Sequence, residues 1–253
     1  MPPDTSPSTT RYRSSIIKGN PSPETREATL QTGVTVSPTL SLSDPDAELE
    51  INVSVRIVDS IRPGEPITIR LRRSVFEVYD KLEGGVGMFA RGAFGPLYGV
   101  NDEGQQIGRY ISFGLLRVNE IDITDEPDLK KRGFLFLTIP GDGSPATVTH
   151  RLRWDCIFKR EQKLTKEDLK PGEKFQVGLN NRFIHTDWWC FGDLEGDLKD
   201  TKFYMPYETR SSDAQEELDA SIREGNWEGG REPSLIKWVD FQENDRATFM
   251  IVE

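Results

Sequence analysis

ELEINVSVRI (Glu48 to Ile57) sets Leu49, Ile51, Val53, Val55 and Ile57 against Glu48, Glu50, Asn52, Ser54 and Arg56. Successive side chains of a strand point to opposite faces, so this unbroken alternation describes a strand with one face in a core and one in water. Just upstream, VTVSPTLSLS (Val34 to Ser43) alternates in the same way through Val34, Val36, Leu40 and Leu42. Pro38 interrupts it and has no N–H for a ladder, which places this strand at a sheet edge or around a bulge.

Downstream the same reading recurs at short intervals. PITIRLR (from Pro66), SVFEVY (from Ser74), RYISFGLLRV (from Arg109), VTHRLRWDCIF (from Val148), EKFQVGL (from Glu173), LIKWVDF (from Leu235) and RATFMIV (from Arg246) read as strands. GFLFLTIP (from Gly133) is apolar on both faces and reads as a central strand. In VTHRLRWDCIF, Val148, His150, Leu152, Trp154, Cys156 and Phe158 share one face. Turns rich in Gly, Pro, Asp and Asn separate the runs, so the expected fold is all-β, an antiparallel β-sandwich.

Helix is scarce. LTKEDL is one short turn, and SSDAQEELDASIREG (Ser211 to Gly225) is the one full helix, with Ser212 and Gln215 fitting a capping box and Gly225 at its end. DSIRPGEPITIRL and EDLKPGEKFQVGL share a Pro-Gly-Glu step ahead of a strand. Proline followed by glycine is the pair a type II turn requires. Residues 1–30, rich in Pro, Ser, Thr and charge, read as a disordered tail. Residues 31–253 read as a single sandwich domain, with a C-terminal helix-plus-strands extension from about residue 206.

The charge balance narrows function. Thirty-two Lys and Arg face 42 Asp and Glu, a formal charge of -10, and the isoelectric point is near 4.9. RLRR (from Arg70) and KKR (from Lys130) are short and flanked by acids, so no nucleic-acid partner is expected. No apolar run reaches the roughly 18–20 residues of a membrane helix, and none at the N-terminus forms a secretory signal. The expectation is a cytoplasmic or nuclear protein without a membrane partner, in which Cys156 and Cys190 are free thiols.

Candidate chemistry concentrates in RFIHTDWWCFGDLEGDLKD (Arg182 to Asp200), which holds one of two histidines, one of two cysteines and a tryptophan pair. Arg182 to Phe191 reads as a core strand near a sheet edge and Gly192 to Asp200 as an acidic loop. His185 and Asp187 are two apart and would share a strand face, with His150 as a third metal ligand from a neighbouring strand. Histidine and cysteine are nevertheless sparse for a zinc site. Asp193, Glu195, Asp197 and Asp200 miss the calcium-loop pattern, glycine falling fourth rather than sixth. No metal or cofactor is expected. Trp188 and Trp189 face opposite ways in an extended chain. Either one reaches the surface to meet a ligand or partner, or both pack, one of them beneath the C-terminal segment.

EGGVGMFARGAFGPLYG (Glu83 to Gly99) carries a partial dinucleotide-binding glycine pattern, but no βαβ context supports it. It reads as a long loop presenting Phe89, Phe94 and Tyr98 to a pocket or a partner. There is no G-x-S-x-G, neither cysteine stands in an electropositive context, and no catalytic residue is assigned.

LKPGEKFQVGL (Leu169 to Leu179), followed by Trp188, Trp189 and Gly192, resembles a loose group of uncharacterised fungal proteins that look like immunoglobulin-like or arrestin-like β-sandwiches. The resemblance spans roughly Val34 to Tyr204 and implies the fold. It carries over no catalytic residue. The expected function is a non-catalytic intracellular interaction or scaffold protein that binds another protein through loops or a sheet edge. The alternative is a small-molecule-binding protein or enzyme, of fungal specialised metabolism if the resemblance extends so far, with an aromatic pocket around His185 and Asp187. Its site would comprise His185, Asp187, Trp188, Trp189, Phe89, Phe94 and Tyr98.

Overall fold

The computed structural model describes residues 21–78, 87–114, 126–158, 164–206, 208 and 210–253. Strands dominate them, and one helix exceeds a single turn. The strands are β1 (Ala28–Val36), β2 (Thr39–Ser41), β3 (Glu48–Ser60), β4 (Ile67–Arg70), β5 (Leu97–Val100), β6 (Gln106–Ile111), β7 (Phe136–Ile139), β8 (Ala146–Arg153), β9 (Lys174–Val177), β10 (Trp189–Phe191), β11 (Lys202–Tyr204), β12 (Trp227–Gly229), β13 (Ile236–Trp238) and β14 (Ala247–Val252). The helices are α1 (Gly87–Ala90), α2 (Trp154–Ile157) and α3 (Ser212–Glu224). No helix among the described residues is long and apolar enough to cross a membrane.

β3 lies between β1 and β8 in a four-stranded sheet of order β13-β1-β3-β8. Its alternation works as read, with Leu49, Ile51, Val53 and Val55 fully buried. A five-stranded sheet runs β2-β14-β9-β5-β6 and a three-stranded one β10-β4-β7. Leu30, Ile51 and Val53 from the first sheet, Phe175, Phe249 and Ile251 from the second, and Ile67, Ile69 and Trp189 from the third join one hydrophobic cluster. A smaller cluster of Leu129, Trp188, Cys190, Leu198 and Phe203 lies apart from it.

The four- and five-stranded sheets are mixed rather than purely antiparallel, while β10-β4-β7 is antiparallel. β1 runs parallel to β13, β2 to β14 and β11 to β12. Between β11 and β12 the chain passes through α3, the helical crossover that a parallel pair requires. β13 and β14 return to the N-terminal strands from the far end of the sequence, with no hairpin to impose an antiparallel direction. Proline explains another departure. The run from Val34 to Ser43 is two strands, broken at Pro38, and the chain changes sheets there.

Other boundaries also differ. β1 begins at Ala28, inside the stretch read as tail, because Ala28 and Leu30 are buried and pair with Ile236 and Trp238. Residues 1–20 of that tail lie outside the described residues. GFLFLTIP supplies β7, which is not central but pairs only with β4 among the described strands. Both its faces are apolar because Leu137 packs on the main cluster and Phe136 on the smaller one. Residues 74–78 form turns rather than a strand, Ser74 Oγ accepting from Phe76 N. In RYISFGLLRV the strand stops at Ile111, and residues 115–118 lie outside the described residues. β8 gives way to α2 at Trp154, so Cys156 and Phe158 are only half-buried. α3 is capped by Ser211, one residue earlier than expected, through its hydroxyl and Ala214 N.

Both Pro-Gly-Glu steps are type II turns. Gly64 and Gly172 have φ of 83° and 90°, and Glu65 N and Glu173 N bond the carbonyls of Arg62 and Lys170. One launches β4 and the other β9.

Candidate functional site

The segment from Arg182 to Phe191 is not one strand. Asn181–Phe183 form a 3-10 turn, and only Trp189–Phe191 join a sheet, against β4. The irregular stretch between them carries His185 and Asp187.

His185 is 7% exposed, and its Nε2 donates to the carbonyl of Arg73 at 3.0 Å. Arg73 is the one non-glycine residue with positive φ among those described, at 55°. The histidine therefore braces a conformation that costs a side-chain-bearing residue energy. Burial pushes its pKa down against the pull of Asp187, so it stays neutral. Asp187 is clamped by Arg70, Nε to Oδ1 at 2.7 Å and Nη2 to Oδ2 at 2.5 Å. That guanidinium lies 4.7 Å from the ring centre of Phe134, which Arg72 and Arg132 also approach at 5.0 Å. Both carboxylate oxygens and one imidazole nitrogen are thus committed to holding the fold.

Neither tryptophan reaches the surface. Trp188 enters the smaller cluster, where its Nε1 donates to the Tyr204 carbonyl and Gly230 lies against its ring. It packs beneath β11 and β12. Trp189 enters the main cluster, and its Nε1 donates to the Glu232 carbonyl.

His150 forms no ligand group with His185 and Asp187. It donates through Nε2 to the Val75 carbonyl at 2.8 Å, and burial pushes its pKa down to about 4. The edges of Phe89 and Phe94 surround it. Those two phenylalanines, expected on a presented loop, are buried and stacked on each other at 4.0 Å. Apolar side chains of α1 and of the turn after it fill the core, so the glycine-rich stretch is a core plug where it is described. Tyr98 stays half-buried beneath the Arg246 guanidinium.

Both thiols are free, and burial raises the pKa of each, which disfavours the nucleophilic thiolate. Among the described residues no group of three or more His, Cys, Asp or Glu could hold a metal ion. The acidic loop closes on its own backbone, Asp197 Oδ1 accepting from Asp193 N and Asp193 Oδ1 from Glu195 N. Lys130 brings a cation to its far end, its Nζ donating to the Leu198 carbonyl at 2.8 Å over the Phe203 ring.

Exposed large apolar side chains lie elsewhere, at Val58, Ile61, Val78 and Leu135 and on β6. β6 pairs with β5 on one side and with no other described strand on the other. Ile107 is 51% exposed and Tyr110 45%. Where β6 meets the turn before β9, Gly99, Ile107, Arg109, Lys170, Glu173 and Lys174 help line a cleft of about 460 Å³. Arg109 Nη2 donates to the Asp168 carbonyl at 2.9 Å, and Nη1 lies 3.4 Å from Glu173. Its buried Nε makes no hydrogen bond. Lys174 pairs with Asp102 at 2.9 Å, and the backbone N–H of Lys170 donates to the Glu173 carboxylate at 3.1 Å.

Sequence reasoning passed over this place. QIGRYI carries no clean alternation, because Gly108, at φ 76°, breaks it, and the turn that completes the cleft is more than sixty residues away. The usable signal was Ile107 and Tyr110 close to glycines, in a strand short of charge.

No protein-family model, curated protein or solved structure matches this chain.

Proposed function

We propose that the chain is a non-catalytic interaction protein, a β-sandwich of the immunoglobulin-like or arrestin-like kind, whose protein partner adds an extended segment to the open edge of β6. One observation carries this reading: β6 leaves an edge unpaired among the described strands and exposes Tyr110 and Ile107, the latter lining the cleft. An unpaired edge offers N–H and C=O groups for a visiting strand. Natural edges are commonly blunted by charge, and β6 has only Arg109, whose guanidinium is turned to Asp168 and Glu173. The rare residues first suspected of chemistry contribute instead to packing and internal hydrogen bonds, which fits a scaffold better than an enzyme.

The test is a selection of random dodecapeptides displayed against the full chain, followed by Ile107→Lys. The side chain at 107 is half in solvent, so the variant should keep its stability within about 0.5 kcal/mol. Peptides enriched on the wild type should lose binding to it. Binders indifferent to Ile107→Lys would overturn the edge as the binding surface.

A further inference from the structure

The two histidines of the chain come from different elements yet hold the same short segment. His150, on β8, donates through Nε2 to the Val75 carbonyl at 2.8 Å, and His185, ahead of β10, donates to the Arg73 carbonyl at 3.0 Å. Residues 71–77, which they hold, follow β4 and belong to no strand or helix. With no ladder to pair them, two of the segment's carbonyls depend on imidazoles. Thr186 Oγ1 donates to the Arg70 carbonyl just upstream at 2.8 Å. Backbone bonds from Leu71 N to the Leu135 carbonyl and from Val75 N to the Phe183 carbonyl add to the attachment. Val75 and Phe76 are fully buried, and the Phe76 ring lies 5.9 Å from that of Trp238. Apolar burial therefore keeps the segment in place, while the left-handed backbone of Arg73, at φ 55°, works against it.

We propose that residues 71–77 form a strap that mild acid releases: protonation of both imidazoles frees it from the core ahead of the rest of the fold and bares Val75 and Phe76. A neutral imidazole and an imidazolium both donate a hydrogen bond, so the bonds themselves do not decide. The cost is that of placing charge where water does not reach. The rings of Phe89 and Phe94 flank His150, and Ile51 pairs with it across β3. Burial is opposed there by the Val75 carbonyl, and no charged group among the described residues enters the balance. His185 faces the Asp187 carboxylate, itself clamped by Arg70, and burial outweighs the pull of that carboxylate. Within the strap the Glu77 carboxylate is turned to the Arg73 N–H. Once the strap leaves, both rings gain water and take up protons at the ordinary histidine value. Below pH 6.5 the open form then holds more protons than the closed one, so acid favours opening. From pH 7.5 to 5.5, His150 alone should raise the open population about tenfold. His185, displaced in the same direction, adds to that. None of this depends on the reading of β6.

Amide hydrogen exchange on the full chain at pH 7.5 and 5.5, corrected for intrinsic rates and repeated at several low urea concentrations, tests the proposal. Val75 and Phe76 should be less protected than Phe175 and Phe249 and nearly indifferent to urea, the mark of a local opening. Their protection should fall by more than about tenfold between the two pH values. In His150→Gln, which keeps an N–H for the Val75 carbonyl, about tenfold of that fall should vanish. Strap amides that match Phe175 and Phe249 in protection and urea dependence would overturn the proposal, because the strap would then open only with the whole fold. So would protection indifferent to pH, or a pH response unchanged in His150→Gln. Should that variant fail to fold, the imidazole proton resonances of the wild type take its place, since the chain has two such rings. Both rings still largely unprotonated at pH 6 would uphold the proposal, and either one half-protonated near pH 6.5 would overturn it.

Discussion

His150 should make the protein sensitive to mild acid. Its ring is enclosed by Phe89 and Phe94 and bonded to the Val75 carbonyl, and burial lowers its pKa from 6.5 to about 4. The unfolded chain takes up a proton near pH 6.5, whereas the folded chain resists it until near pH 4. Between those values the unfolded state holds more protons, so stability falls as the pH drops. At about 1.4 kcal/mol per pH unit, the full window corresponds to about 3 kcal/mol. Between pH 7.5 and 5.5 the loss from this one group should be about 1.3 kcal/mol, and this interval stays clear of the isoelectric point near 4.9. Urea unfolding at the two pH values measures it. His150→Gln keeps an N–H for the Val75 carbonyl but cannot titrate, so its stability should fall by about 1.3 kcal/mol less over the same interval. His185, displaced in the same direction, leaves a residual slope in the variant. Asp142, Asp155 and Asp168 contribute below this window, since their folded pKa values lie under their ordinary ones, whereas Glu228, which burial displaces upward, adds a slope of opposite sign equally to wild type and variant. Equal slopes in wild type and variant would refute the placement of His150 in the core.

Two further substitutions probe the stretch from Arg182 to Asp200 and the strands that cover it. Asp187→Asn leaves the buried Arg70 guanidinium without its counter-charge and should cost about 2–3 kcal/mol in urea unfolding; an unchanged midpoint would free Asp187 for a ligand role. Gly230→Ala places a Cβ 2.1 Å from Cδ1 of Trp188. It should destabilise by about 1–3 kcal/mol and shift the tryptophan emission to the red; a neutral result would mean that β12 does not lie on that ring.

What could be read in advance was local. The alternation in β3 works because one strand face meets a single core from Leu49 to Val55, and the two Pro-Gly-Glu turns follow from the restrictions on proline and glycine alone. What could not be read was which layer covers which side chain. Trp188 and Trp189 diverge as an extended pair must, but only the fold shows that β11 and β12 close over Trp188. The apolar faces of β7 suggested a central strand because sequence records apolarity and not whether it meets one cluster or two. Phe89 and Phe94 sit among glycines that signal a loop, yet stacking on each other and edge-on contact with His150 hold them inward. The cleft at β6 was hidden because its two walls are joined only by pairing between β5 and β9.

The most direct test of the account is hydrogen exchange on the full chain with and without a selected dodecapeptide. The account predicts new protection concentrated at Gln106–Ile111, with the amides around His185 and Trp188 unchanged. Protection appearing around His185 and Asp187 instead, with β6 still exchanging freely, would contradict it.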